Sequence, residues 1–309
     1  MTDRPDFDKM SCPLPLMDHD SIQLAHGAGG LLSADLNDKM IVPRVSSPEL
    51  DMLEDQAVLD LPAGRVAFST DTFVVSPIFF PGGDIGDLAV NGTVNDVAMS
   101  GAEVHALSVG FVLEEGLPLA DFHRILCSME TAAKKAGVRI VTGDTKVVGK
   151  GSCDGIFINT SGVGVIPEGV NLSAASLQPG DAVILSGTLA DHGMAVMTVR
   201  EGLSFQSTVT SDTAALNGLV RAILEAGPGT RTMRDPTRGG AATTLNEFAR
   251  ASGVGIKLDE SAIAVRPDVA GACEILGIDP LYVANEGKLI TVVPAGEAEA
   301  VLAAVRTHP

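Results

Sequence analysis

Hydrophobic and polar positions change period several times along this chain, and each change predicts an element. Val, Phe and Thr crowd residues 65–75, a strand composition. Ile85, Leu88, Ala89, Val97 and Ala98 recur near helical spacing, which predicts a helix over 85–100. A second strand follows at 104–113. Leu119–Ala136 reads as a long amphipathic helix with Gly137 as its stop signal. Further strands are expected at Arg139–Val148 and 155–166. Pro167-Glu168-Gly169 then marks a plausible boundary.

The second half repeats the mixture. Strands are expected at 182–186 and 288–293, and helices at 214–226, Gly240–Ser252 and 295–306. Nearer the start, a glycine loop after His26 leads into a helix over 33–40. Residues 1 to about 20 carry Pro5, Pro13 and Pro15 and read as a loose arm. Strands and helices mixed in both halves imply an α/β (α+β) chain of two domains, 21–168 and 169–309, behind the arm 1–20.

Composition adds three constraints. With no Trp, one Tyr and ten Phe, the core must be built from Val, Leu, Ile, Ala and Met. A net charge of −18 and no basic stripe argue against a nucleic-acid partner. Four cysteines without Cys-x-x-Cys spacing read as free thiols in a reducing compartment. No apolar run is long enough to span a bilayer, and Met1 to Met10 lacks the apolar core of a signal peptide. The expected location is cytoplasmic, with no membrane contact.

Candidate chemistry gathers at the ends of predicted elements. Gly143-Asp144-Thr145-Lys146 follows an apolar run, where sites on α/β sheets tend to lie. Ser69-Thr70-Asp71-Thr72, Asn95-Asp96-Val97 and Asp235-Pro236-Thr237-Arg238-Gly239-Gly240 share that arrangement. Each acid has a bland reading: Asp71 could close a turn, Asp235 could cap a helix, and Asp144 with Lys146 could be an exposed ion pair worth little. Four such motifs in one chain favour a Mg²⁺-nucleotide site built without a P-loop lysine motif. Gly27, Gly29 and Gly30 could wrap phosphate with backbone N–H groups, although glycine turns are common. His26 is a candidate phosphate contact. His105, His192 and Cys127 read as structural, and Cys153 and Cys273 have no partner that marks a reactive thiolate.

These stretches, with Phe79-Phe80-Pro81-Gly82-Gly83 and Ala284-Asn285-Glu286-Gly287-Lys288-Leu289, resemble the carbamoyl dehydratase family of hydrogenase maturation, the HypE family. The match runs from Ile22 to the C-terminal region. The wider superfamily, with aminoimidazole ribonucleotide synthetase and selenophosphate synthetase, shares the acidic motifs. The Asp-Thr-Lys-Val-Val and Phe-Phe-Pro-Gly-Gly runs point to the dehydratase.

The resemblance implies an aminoimidazole ribonucleotide synthetase-like fold whose N-terminal sheet pairs across a homodimer, with ATP and Mg²⁺ in a cleft. It implies ATP-dependent dehydration of a carbamoylated terminal cysteine to a thiocyanate, the source of the cyanide ligand of nickel–iron hydrogenase. A carbamoyltransferase and a cyanide-accepting iron scaffold complex are the implied partners. By motif match Asp71, Asp96 and Asp235 are the metal ligands, with Asn95, Asp144, Arg238, His26, Gly27, Gly29 and Gly30 at the nucleotide. Lys146 and Glu286 are the catalytic pair, Glu286 as base. The family pattern ends in a cysteine-bearing tail. No cysteine follows Cys273 in this sequence, so the expectation is ATP binding without the tail reaction. Two other readings remain: a superfamily synthetase or kinase acting on a small free substrate, and a non-catalytic ATP-binding scaffold.

Overall fold

The computed structural model describes residues 14–54, 56–202 and 208–308. Of the predicted arm, residues 1–13, including Cys12, lie outside the described residues, as does Pro309. The chain is tied down from Asp20 onward. Leu119 N–H donates to the Asp20 carbonyl, and Ile22 N–H to the Leu117 carbonyl, each at 2.9 Å or less.

After short helices α1 (Leu31–Leu36) and α2 (Val42–Val45), separated by a π turn, the N-terminal sheet begins. It comprises β1 (Arg65–Phe73), β4 (Glu103–Glu114), β5 (Arg139–Val148) and β6 (Ile156–Ile166), in the order β1-β6-β4-β5. A small hairpin of β2 (Phe79–Phe80) and β3 (Gly83–Asp84) leads into α3 (Ile85–Ala98). Helix α4 (Leu119–Ala136) joins β4 to its parallel neighbour β5; the other sheet contacts are antiparallel. The predicted helical stop is present: Gly137 is left-handed, with φ 69°.

The two faces of this sheet differ. One packs on α3 and α4 through Leu107, Val109, Phe111, Leu113 and Ile158, all buried. The other carries Val66 and Phe68, which are 55% and 71% exposed, together with Thr70, Thr72 and Asn159. Asn159 Nδ2 donates to the hydroxyls of both threonines across that open face.

Helix α3 is buried on nearly all sides: thirteen of its fourteen residues are inside, and the exception is Asp96. A helix enclosed this way must have its polar side chains satisfied by protein groups. Asp84 caps it, accepting from Gly86 N–H at 2.7 Å and Asp87 N–H at 3.1 Å.

The C-terminal domain has a three-stranded antiparallel sheet of β7 (Ala182–Leu185), β8 (Thr232–Arg234) and β9 (Ile290–Val293), in the order β7-β9-β8. Around it lie α5 (Asp191–Arg200), α6 (Asn217–Ala226), α7 (Gly240–Ser252), α8 (Pro267–Leu276) and α9 (Ala298–Thr307). Its core includes Ala98 and Met99 from the end of α3 alongside Ile184, Leu219, Ile223 and Leu289, so the two domains share apolar contact. No helix among the described residues is long and apolar enough to cross a membrane.

Candidate active site

The acidic motifs meet where β1, α3 and the C-terminal domain converge. Asp71 lies on β1, and Asp96 is the one half-buried residue of α3. Asp235 follows β8 directly, and Glu286 lies in the irregular segment before β9. Ser69 Oγ donates to Asp96 Oδ2 at 3.1 Å, and Arg238 Nη2 to Asp71 Oδ1 at 3.1 Å.

Their electrostatics are those of crowded anions. Burial, then the charge of Asp96, pushes the Asp235 carboxyl up to about 7. Burial raises Asp96, with Asp71 adding to the effect and the Ser69 hydroxyl opposing it. Glu286 lies well above the usual carboxylate range, first from burial and then from Asp235, Asp212, Asp71 and Asp96. Such mutual repulsion disfavours ionisation of all members until a cation arrives.

The bland alternatives for two of these acids do not hold. Helix α7 is preceded by Gly239 and has no side-chain cap, so Asp235 caps nothing. Asp71 lies inside β1, paired with Thr160, rather than in a turn.

Asn95 has a different place from the one its motif implies. Its buried amide donates to the carbonyls of Ala214 at 3.0 Å and Glu286 at 3.2 Å, and its oxygen accepts from Leu216 N–H at 2.7 Å. Both amide hydrogens are thereby used in lacing the domains together, which leaves no donor for a nucleotide.

The remaining expected residues lie at the opposite edge of the sheet. Asp144 shares a transverse row with Gly110, Asn159 and Thr72, three strand spacings or about 14 Å from β1. Asp144 and Lys146 alternate onto the open face, whereas Asp71 faces α3. A lysine side chain cannot bridge that span, so within one chain Lys146 and Asp144 stand apart from Asp71.

The glycine loop joins them there. Gly27 lies so close to β5 that a Cβ would sit 2.7 Å from Val147 N. Gly29 N–H donates to Ser33 Oγ at 2.9 Å and is already committed. His26 is buried and accepts from Gln23 N–H at Nδ1 over 2.9 Å; burial and then His19 hold its pKa below the ordinary value. His26, Gly27, Gly29, Asp144 and Thr145 border a cavity of about 570 Å³. Gly30 lies beside it in open space. At the other edge Ser69, Asp96, Arg234, Asp235 and Thr237 border a second cavity of about 480 Å³.

Among the described residues, no three His, Cys, Asp or Glu side chains are gathered closely enough to hold a metal alone. The donor chemistry nevertheless fits a hard cation that brings its own oxygen ligands. Asp71, Asp96 and Asp235 are all carboxylates, and the repulsion among them is the quantity a divalent ion would relieve.

Several residues of the site were not among the candidates drawn from the sequence. Asp212 is buried, accepts from Glu286 N–H and pairs with Lys288 Nζ, both at 3.3 Å. Asn285 is fully buried and holds Ala190 N–H, the Pro236 carbonyl and the Val283 carbonyl. Asp84 and Asp87 form a buried acidic pair at the start of α3. Only polar residues in apolar surroundings could have flagged them. The structural readings of the other residues fare unevenly. His192 is buried against Phe80 and bonded to Ser211 Oγ at 2.9 Å, and Cys127 and Cys273 are buried. His105 Nε2, by contrast, is buried without a hydrogen-bond partner, so that histidine is not satisfied as expected.

Comparison with known proteins follows the same lines. Residues 53–166 match the N-terminal domain of AIR synthase related proteins, and residues 178–309 match the C-terminal domain. Carbamoyl dehydratase HypE of Azotobacter vinelandii is 55% identical over 94% of this chain and 85% of its own length. A crystal structure of hydrogenase maturation protein HypE in complex with ATP superposes with a TM-score of 0.90 at 50% identity, covering 93% of this chain and 85% of that one. A HypE–HypF complex gives a TM-score of 0.78 at 48% identity, covering 90% of this chain and 89% of that one.

Proposed function

From the premise that this chain belongs to the HypE carbamoyl dehydratase family, within the AIR synthase related proteins, we propose that it dehydrates an S-carbamoyl cysteine to a thiocyanate at the expense of ATP. The observation that carries this reading is the place of Glu286 beside the acidic motifs: burial first, and then Asp235, Asp212, Asp71 and Asp96, raise its pKa well above the usual carboxylate range and so make its carboxylate a stronger base. A base intended for a weakly acidic N–H needs a pKa raised toward the working pH.

The amide oxygen attacks the γ-phosphorus of ATP, and ADP leaves. The two N–H protons depart, Glu286 accepting in turn, as the C–O bond breaks and phosphate carries the oxygen away. The products are thiocyanate, ADP, phosphate and a proton. An amide oxygen leaves poorly and a phosphate leaves well, which is why ATP is needed. Asp71, Asp96 and Asp235 would hold Mg²⁺, which supplies charge neutralisation at the phosphates. Arg238, which donates to Asp71, would meet phosphate.

Two half-sites at opposite sheet edges favour a homodimer. The open face exposes two large hydrophobic side chains, Val66 and Phe68, at its β1 edge, and two-fold pairing through it would cover both. Only across such pairing could Lys146, Asp144 and the His26 loop join a carboxylate cluster. A carbamoyltransferase partner is supported by the HypE–HypF complex of a relative. The iron scaffold complex stands on the family's chemistry, and a cytoplasmic location on the three free thiols among the described residues.

The test supplies ATP, Mg²⁺ and a peptide bearing S-carbamoylcysteine. Mass spectrometry should show the peptide lighter by one water, with matching ADP. ADP release with no change in the peptide would overturn the dehydratase reading.

A further inference from the structure

Glu286 lies in a segment without regular secondary structure, so no helix or strand ladder fixes it. Its backbone is held instead by side chains distant in sequence. The Glu286 carbonyl accepts from Asn95 Nδ2, and its N–H donates to Asp212 Oδ1. The other oxygen of the same Asp212 carboxylate pairs with Lys288 Nζ. One buried carboxylate therefore brackets Glu286 from both sides of its loop. The packing between them is close: a Cβ on Gly287 would lie 1.7 Å from the Asp212 carbonyl oxygen, so only glycine lets the two segments meet.

Asp212 is itself held firmly. Ser211 N–H donates to the Pro81 carbonyl at 2.7 Å, and Ser211 Oγ meets His192 Nδ1 at 2.9 Å and Thr213 N–H at 3.1 Å. Asn91 Nδ2 reaches Thr213 Oγ1 at 3.2 Å, and Asn95 binds Ala214 and Leu216. Residues 211–216 thus form a strip stitched to α3 on one side and to the Glu286 loop on the other.

We infer that Asp212 is a positioning residue for the reaction, fixing the Glu286 carboxylate through the Glu286 N–H and Lys288. This rests on the reading of Glu286 as the base. The Asp212 carboxylate is occupied by loop and lysine, so it acts through Glu286 rather than on substrate. A displacement near 1 Å in a reacting group lowers rate by about a hundredfold, which sets the scale expected.

The experiment measures single-turnover thiocyanate formation by mass spectrometry on the S-carbamoylcysteine peptide, and ATP affinity by calorimetry. The proteins are the full chain, Asp212→Ala, Glu286→Gln, their double variant, and Asp212→Asn with Lys288→Gln. Asp212→Ala should slow turnover about 10- to 100-fold while the ATP Kd stays within about twofold. The neutral pair Asp212→Asn with Lys288→Gln keeps an acceptor for Glu286 N–H and should recover most of the rate. In the Glu286→Gln background Asp212→Ala should have no further effect, because groups acting as a unit are non-additive. Asp212→Ser answers the same question should Asp212→Ala fail to fold. An unchanged rate in Asp212→Ala, or an equal loss in the Glu286→Gln background, would overturn the inference. Full activity in Glu286→Gln would instead sink the assignment of the base on which it rests.

Discussion

Asp87 offers the sharpest test of the electrostatics of this seam. It is buried in the first turn of α3, with Oδ1 accepting from Asn91 Nδ2 at 3.1 Å. Burial first, and Asp84 second, push its pKa from 3.8 up to about 8. A raised carboxyl pKa means the folded state binds more protons than the unfolded state between those values. Stability must therefore fall as pH rises through that window, by about 1.4 kcal/mol per pH unit. Asp87→Asn is nearly isosteric and carries no titrating charge. The variant should gain on the natural protein by roughly 2.7 kcal/mol between pH 5 and pH 7. A buried amide hydrogen left unbonded costs about 1–3 kcal/mol, but equally at both pH values, so it drops out of the comparison. Urea unfolding of both proteins at pH 5, 6 and 7 measures the difference directly. A gap between the two that does not change with pH would refute the reasoning, whatever its size.

Other outcomes follow from the same geometry. Mg²⁺-ATP at a hundredfold excess over Kd should raise stability by about 2.7 kcal/mol, and Asp96→Asn should remove most of that; an undiminished thermal shift in the variant would take Asp96 out of the ligand set. Phe68→Arg, at a site 71% exposed, should leave the fold intact and yield monomers in sedimentation at micromolar concentration; persistence of a dimer would exclude the open face as the interface. Gly27→Ala drives a methyl toward Val147 N and should cost about 1–3 kcal/mol, read as a lower urea midpoint, with an unaltered midpoint counting against the close approach.

What the sequence determined by itself was local. Leu119–Ala136, Arg139–Val148 and Gly240–Ser252 stand where periodicity and Gly137 put them, because an amphipathic helix or a strand on one core writes its period into adjacent residues. Helix α5 left no legible pattern, and 214–226 begins only at Asn217, since Ala214 and Leu216 are occupied with Asn95 instead. The identity of the chemistry was also legible, because motifs around Asp71, Asp96, Asp235 and Glu286 are short and contiguous. Tertiary structure alone decided how those motifs combine. It gathered the acids at the β1 edge, put Asp144, Lys146 and the His26 loop at the β5 edge, and turned Asn95 from a nucleotide contact into a domain clasp. The physical reason is that strand order and the side on which a residue alternates are fixed by non-local pairing, here β1-β6-β4-β5. Charge repulsion and burial among residues as distant as Asp71 and Glu286 arise only after that pairing has formed.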